Sequence, residues 1–192
     1  VSISMVHRLK GHYLDTKHPI ISENLLGIKR LKGSIQKGKK PILINHLKSI
    51  VNVIDEQKSE EIKRLRDRSI ILIGFGGGFR RTELISIDYE DLEFVPEGLK
   101  ITIRRSKTDQ FGEGMIKGLP YFSNEVYCPV ASLKRWLEIS KIKSGPIFRR
   151  FSKGSLLTDK RLTDQSVVLF MKEYLNLAGI ENKNFAGHSL RA

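Results

Sequence analysis

Two apolar stripes at helical spacing, one after the other between residues 43 and 73, constrain this chain more than any other feature. Leu47, Ile50, Val51 and Ile54 recur at the interval of one helix face and predict a helix from Leu43 to Asp55. Ser59-Glu60-Glu61-Ile62 then puts acidic residues into a first turn, where the helix dipole favours them. Leu65 and the run Ile70-Ile71-Leu72-Ile73 continue that second helix until Gly74-Phe75-Gly76-Gly77-Gly78, read as a flexible break. A short helix over Arg80–Ile87 follows.

Downstream the period changes. Leu92–Val95, Leu99–Ile103 and Met115–Leu119 alternate and predict a small antiparallel sheet. Helical spacing returns over Pro129–Ile142 through Leu133, Trp136, Leu137 and Ile139; Pro146-Ile147-Phe148 reads as a short extended piece. Thr163 or Asp164 caps a last long helix through Ala178, which Gly179 ends. There is no internal repeat. The expected fold class is α+β, mainly helical, with one small antiparallel sheet.

Ahead of these elements, residues 1–14 and 23–32 each carry a short apolar pattern (Ile3, Val6, Leu9 and Leu14; then Leu25, Leu26, Ile28 and Leu31). Two short helices cannot bury a core unaided, so residues 1–33 are expected to be the end of a larger helical domain. Residues 34–41 form a basic linker closed by Pro41, and residues 42–192 the main domain. Opening on Val1 rather than Met, the chain is expected to be a piece of a longer protein.

Lys and Arg number 34 against 21 Asp and Glu, a net charge of +13 that selects polyanionic partners. No apolar run approaches the roughly 20 residues that span a bilayer, so nucleic acid is favoured over a membrane. Cys128 is the single cysteine, which excludes an intrachain disulfide and a thiolate zinc site and fits a reducing compartment. His7, His12, His18, His46 and His188 lack metal-ligand spacing with nearby carboxylates, so no metal is expected. The glycine run has neither the Gly-x-Gly-x-x-Gly spacing nor a Gly-Lys-Ser/Thr ending of nucleotide loops, so it is not read as one.

Three basic segments could carry phosphate chemistry: Gly78-Phe79-Arg80-Arg81-Thr82-Glu83-Leu84, Arg104-Arg105-Ser106-Lys107-Thr108-Asp109-Gln110 and Gly187-His188-Ser189-Leu190-Arg191-Ala192. Breaking a DNA strand without metal builds charge on the phosphate oxygens, which fixed arginines meet with paired, planar hydrogen bonds. The leaving oxygen needs a proton, which a lysine of lowered pKa can give; the attacking hydroxyl must lose one, which suits histidine. Each segment also has a plainer explanation. Arg80 and Glu83 have the spacing of an ordinary i,i+3 ion pair, Lys107 that of a solvated loop lysine, and His188 that of a structural histidine. Spacing does not choose between Arg80 and Arg81.

Taken together and in this order, the three segments resemble the signatures of the tyrosine recombinases, the phage-integrase family. The resemblance covers residues 42–192 and, through Lys29-Arg30 to Pro41, the family's basic interdomain connector, which makes residues 1–33 a fragment of its helical core-binding domain. It implies that Arg80 and Arg191 are the two phosphate clamps, Lys107 the proton donor on a hairpin, His188 the proton shuttle and Glu83 a supporting group. Lys37, Lys39, Lys40, Arg104 and Arg105 become candidate DNA contacts. The implied function is that of a site-specific recombinase or integrase, which breaks and rejoins strands through a 3′-phosphotyrosyl intermediate, with no cofactor. Implied partners are double-stranded DNA at attachment sites, a homotetramer spanning two sites and accessory DNA-bending proteins; the implied location is the cytoplasm of a bacterium, on DNA. The family's nucleophilic tyrosine lies beyond its second arginine, whereas Tyr121, Tyr127 and Tyr174 all precede His188 and are assigned to packing or surface. Residues 1–192 are therefore expected to bind DNA without forming a covalent adduct, a segment beyond Ala192 supplying the nucleophile. A DNA-binding remnant of an integrase and a type IB topoisomerase are the alternatives; supercoil relaxation without recombination would mark the latter.

Every one of these readings requires lysines and arginines to displace phosphate counterions. DNA affinity should fall steeply between about 50 and 200 mM salt; a flat titration by fluorescence anisotropy would count against them all.

Overall fold

The computed structural model describes residues 3–33, 40–104, 114–185 and 189–190. The chain divides into two compact units, Val1–Gly38 and Lys39–Ala192. The first holds α1 (Ile3–Leu9) and α2 (Pro19–Lys32). Helix α2 begins ahead of its apolar pattern because His18 caps it. The ring Nδ1 accepts the Ile20 N–H at 3.3 Å, and Pro19 occupies a first-turn position where no donor is needed. Neither helix buries a residue, and Leu25, Leu26 and Ile28 stand half exposed.

In the second unit the two apolar stripes become α3 (Ile44–Glu56) and α4 (Glu61–Gly76). Helix α5 (Arg81–Ser86) and a 3₁₀ turn, Tyr89–Asp91, lead into β1 (Leu92–Val95), β2 (Gly98–Ile103) and β3 (Met115–Pro120). These strands form an antiparallel sheet in that order, with Phe94 opposite Leu99 and Ile101 opposite Lys117. Helix α6 (Pro129–Ser140), a hairpin of β4 (Arg149–Phe151) and β5 (Leu157–Arg161), and α7 (Asp164–Leu177) complete the unit. The fold is mainly helical α+β, as expected. The β4–β5 hairpin is an addition, its strands holding one apolar residue each and so too little alternation to read in the sequence.

Helix α4 is the axis of this unit, packing against α3, α5, α6 and α7. Its run Ile70-Ile71-Leu72-Ile73 is buried throughout, as are Leu47, Ile50, Val51 and Ile54 on the stripe of α3. Trp136 on α6 is fully enclosed, and its Nε1–H donates to the Ile147 carbonyl at 2.8 Å, so its polar edge is satisfied.

The glycine run is not the break it resembles. Helix α4 continues through Gly74, Phe75 and Gly76, and the chain turns only at Gly77 and Gly78, the latter at φ +55°. Phe75, between the two helical glycines, packs partly buried against the core. The glycines themselves serve close approach. A Cβ on Gly74 would lie 2.9 Å from Leu84 Cδ2 and 3.6 Å from Leu190 Cδ1, and one on Gly76 3.3 Å from Leu119 Cδ2. The absent side chains let α5, β3 and the segment carrying Leu190 close onto α4.

A buried polar network ties α4 to the hairpin and to α7. Arg66 donates to Asp67 Oδ1 through Nε (2.8 Å) and Nη2 (2.6 Å) and to the Arg149 carbonyl through Nη1 (3.0 Å), with its guanidinium 4.6 Å from the Phe151 ring centre. The Tyr174 hydroxyl donates to Asp67 Oδ2 at 2.8 Å. Burial, and then the negative charge of Asp67, push the Tyr174 hydroxyl well above the ordinary tyrosine range. Tyr174 is thus a structural donor, in keeping with its assignment to packing. Asp67→Ala, which strands the Arg66 charge, should destabilise the protein by about 3–5 kcal/mol. Tyr174→Phe should cost about 1–3 kcal/mol. Thermal unfolding checks both, and equal effects would contradict this network.

Candidate active site

Arg80 follows directly on the Gly77–Gly78 turn and stands at the N-cap of α5 in an extended conformation (φ −66°, ψ 148°). Glu83, one turn into the helix, reaches back to it twice. Its Oε2 accepts the Arg80 backbone N–H at 2.9 Å and its Oε1 the Arg80 Nη1 at 2.5 Å. The Glu83 side chain is 3% exposed and that of Arg80 24%, so the carboxylate is interior and the guanidinium opens toward solvent. Burial alone would raise the Glu83 carboxyl. The hydrogen bonds from Arg80 and the charges of Arg80 and Lys117 outweigh it and hold the carboxyl below its ordinary value. Arg81, by contrast, pairs with Asp164 at 3.6 Å, a carboxylate that is itself half-buried rather than interior. The two arginines that spacing could not separate are therefore held quite differently.

Lys117 was not singled out from the sequence. It shares the inward face of β3 with Leu119, two residues on, and its Nζ donates to the carbonyl oxygens of Gly77 (2.7 Å) and Gly78 (3.2 Å). The same ammonium lies 4.5 Å from the centre of the Phe79 ring. A lysine in an inward position of an alternating strand is the signal that could have found it.

The third motif segment also meets the turn region through its described residues. Leu190 is buried beside Gly74, where Leu84 of α5 packs as well. The Ser189 carbonyl accepts the Ile42 N–H at 2.8 Å, the Asn184 carbonyl accepts the Lys40 N–H at 2.7 Å, and the Phe185 ring stands edge-on to His46 with centres 5.3 Å apart. His188 and Arg191 lie outside the described residues, as do Lys107 and Arg105, between β2 and β3 in sequence, and Lys37 and Lys39 in the linker. Arg104, at the exit of β2, donates through Nε to Asp91 Oδ1 (2.7 Å) and through Nη1 to Asp88 Oδ2 (3.4 Å). Asp88 also accepts Arg161 Nη2 at 2.5 Å, while Arg161 Nη1 donates to the Ile85 carbonyl at 2.6 Å. The end of α5, the root of the β2–β3 hairpin and β5 are thereby fastened together. Among the described residues no group of three or more His, Cys, Asp or Glu side chains is arranged to hold a metal.

Residues 42–192 match the sequence profile of the phage integrase family. The chain is 41% identical over 181 residues to an integrase/recombinase XerD homologue of Selenomonas ruminantium, a match covering 94% of this chain and 52% of that protein. It therefore spans about half the length of the curated relative it matches. Among solved structures it is similar to the XerH site-specific recombinase bound to palindromic difH substrate in a post-cleavage complex (TM-score 0.60, 18% identity, 80% of this chain and 40% of that one). It is also similar to the XerA recombinase (TM-score 0.57, 16% identity, 98% and 62%) and to a lambda integrase dimer bound to a COC′ core site (TM-score 0.56, 13% identity, 88% and 47%). At these identities the structural likeness is one of fold.

Because the folded state depresses the Glu83 carboxyl below its ordinary 4.5, the ion pair contributes stability above that value. That stability should be lost as pH falls from 4.5 through the folded-state value. Glu83→Gln should therefore melt several degrees below the parent at pH 7 and converge with it in acid. A pH-independent gap in thermal melts would contradict the assignment.

Proposed function

The chain belongs to the phage integrase family, and on that premise we propose that it is the DNA-binding and phosphate-activating part of a site-specific tyrosine recombinase. The observation that carries the proposal is the gathering of two motif-bearing segments and of strand β3 around Gly74–Gly78. Leu84 of the Arg80 helix and Leu190 of the final box pack on Gly74, and Lys117 of β3 hydrogen-bonds Gly77 and Gly78. Three stretches far apart in sequence are thereby supported on one end of one helix.

In this reading Arg80 and Arg191 take the non-bridging oxygens of the scissile phosphate, where charge develops. Glu83 orients Arg80, Lys107 protonates the leaving 5′-oxygen, and His188 accepts the proton of the attacking hydroxyl. A tyrosine would attack phosphorus and displace the 5′-oxygen, giving a 3′-phosphotyrosyl link that conserves the phosphodiester bond energy for rejoining. Lys37, Lys39, Lys40 and Arg105 add phosphate contacts, and Arg104, already paired with Asp88 and Asp91, adds a weaker one from its exposed side. Residues 1–33 belong to a helical core-binding domain, consistent with the exposed apolar residues of α2. The DNA-bound states of the XerH and lambda integrase structures support duplex DNA as the partner, and a lambda integrase tetramer bound to a Holliday junction supports a tetramer on two sites. Action on DNA in the cytoplasm, with accessory DNA-bending proteins, completes the proposal.

A polypeptide of residues 1–192 should bind duplex DNA and form no denaturation-resistant adduct on a nicked substrate, since none of its tyrosines follows Arg191. Arg80→Ala should weaken binding and lower the salt slope by about one. A covalent adduct, or unchanged binding by Arg80→Ala, would overturn these assignments.

A further inference from the structure

Glu83 confronts Arg80 with a local difficulty. A guanidinium paired with a buried carboxylate forms a neutral unit, and a neutral unit is a poor receptor for a phosphate dianion or diester. Lys117 changes that balance. Its ammonium hydrogen-bonds the two glycine carbonyls just ahead of Arg80, which brings a second positive charge into the neighbourhood of the Arg80–Glu83 pair. Arg80, Glu83 and Lys117 taken together therefore carry a net positive charge. The backbone turn that launches Arg80 is fixed by one of those cations. The Phe79 ring beneath the ammonium, 4.5 Å away and itself 2% exposed, confines it further.

From this geometry we infer that Lys117 is a positioning residue for the phosphate clamp, holding the Gly77–Gly78 turn and offsetting the Glu83 charge so that Arg80 remains available to an anion. The inference rests on the proposed function, and it assigns a role to a lysine outside the three motifs. Lys117 acts through Arg80 and Glu83 and touches no substrate.

Duplex DNA binding by fluorescence anisotropy across a salt series, with folding of each variant checked by circular dichroism, tests it. Lys117→Met should weaken binding by about three- to ten-fold, whereas Lys117→Arg should restore most of the parent affinity. Lys117→Gln keeps a donor for the carbonyls but loses the charge, and should fall between them. The decisive comparison is the double variant. If Lys117 acts through Arg80, Lys117→Met adds little to the loss already caused by Arg80→Ala. A nuclear magnetic resonance titration should also show the Glu83 carboxyl rising in Lys117→Gln, a change that a purely structural lysine far from the carboxylate would not produce. Additive losses in the double variant, or parent-like binding by folded Lys117→Met and Lys117→Gln while Arg80→Ala binds weakly, overturn the Lys117 assignment alone. Parent-like binding by Arg80→Ala overturns the phosphate-clamp reading and this inference with it.

Discussion

A side chain that is not there governs how this domain closes. Gly74 lies late in α4, and the space a Cβ would occupy is taken by Leu84 from α5, with Leu190 alongside. Helices ordinarily keep other elements at a side-chain's distance; here two leucines reach toward the backbone itself. Arg80 begins the helix that carries Leu84, so its position depends on that contact. Gly76 extends the same arrangement to Leu119 of β3, and Gly77 and Gly78 then reverse the chain. One short glycine-rich stretch therefore combines close packing with a turn.

Electrostatics refine what packing arranges. Burial would ordinarily drive Glu83 toward its neutral form, but Arg80 and Lys117 keep it ionised. A second set of charges secures the opposite end of α5, where Asp88 joins Arg161 to Arg104. A third, Arg66 with Asp67 and Tyr174, lies wholly inside and links α4 to α7. These networks occupy the joints between elements, where a hydrogen bond in the right direction discriminates between docking geometries that apolar contact alone would leave nearly equivalent.

Much of the fold was legible because period and composition are local. The stripes of α3 and α4, the alternation of β1 to β3 and a cap of α7 at Thr163 or Asp164 can each be read within a window of about a dozen residues. The β4–β5 hairpin escaped because Arg149–Phe151 and Leu157–Arg161 carry one apolar residue each and so display no alternation. The early start of α2 escaped because a histidine served as the cap in place of the more common serine, threonine or aspartate. At the site, the Arg80–Glu83 spacing was visible, but the contribution of Lys117 was not, since its partners lie about forty positions away in sequence.

The sequence by itself determined the helical class of the domain, its strongly basic character and the order of its three basic motifs, because these depend on residue type and spacing. Tertiary structure alone decided that the glycine run is a packing surface before it is a turn, that Arg80 and not Arg81 pairs with a buried carboxylate, and that a lysine from β3 completes the group. Those outcomes depend on which distant segments fill the space beside Gly74 and which charges surround Glu83, and neither is encoded in any one stretch of chain.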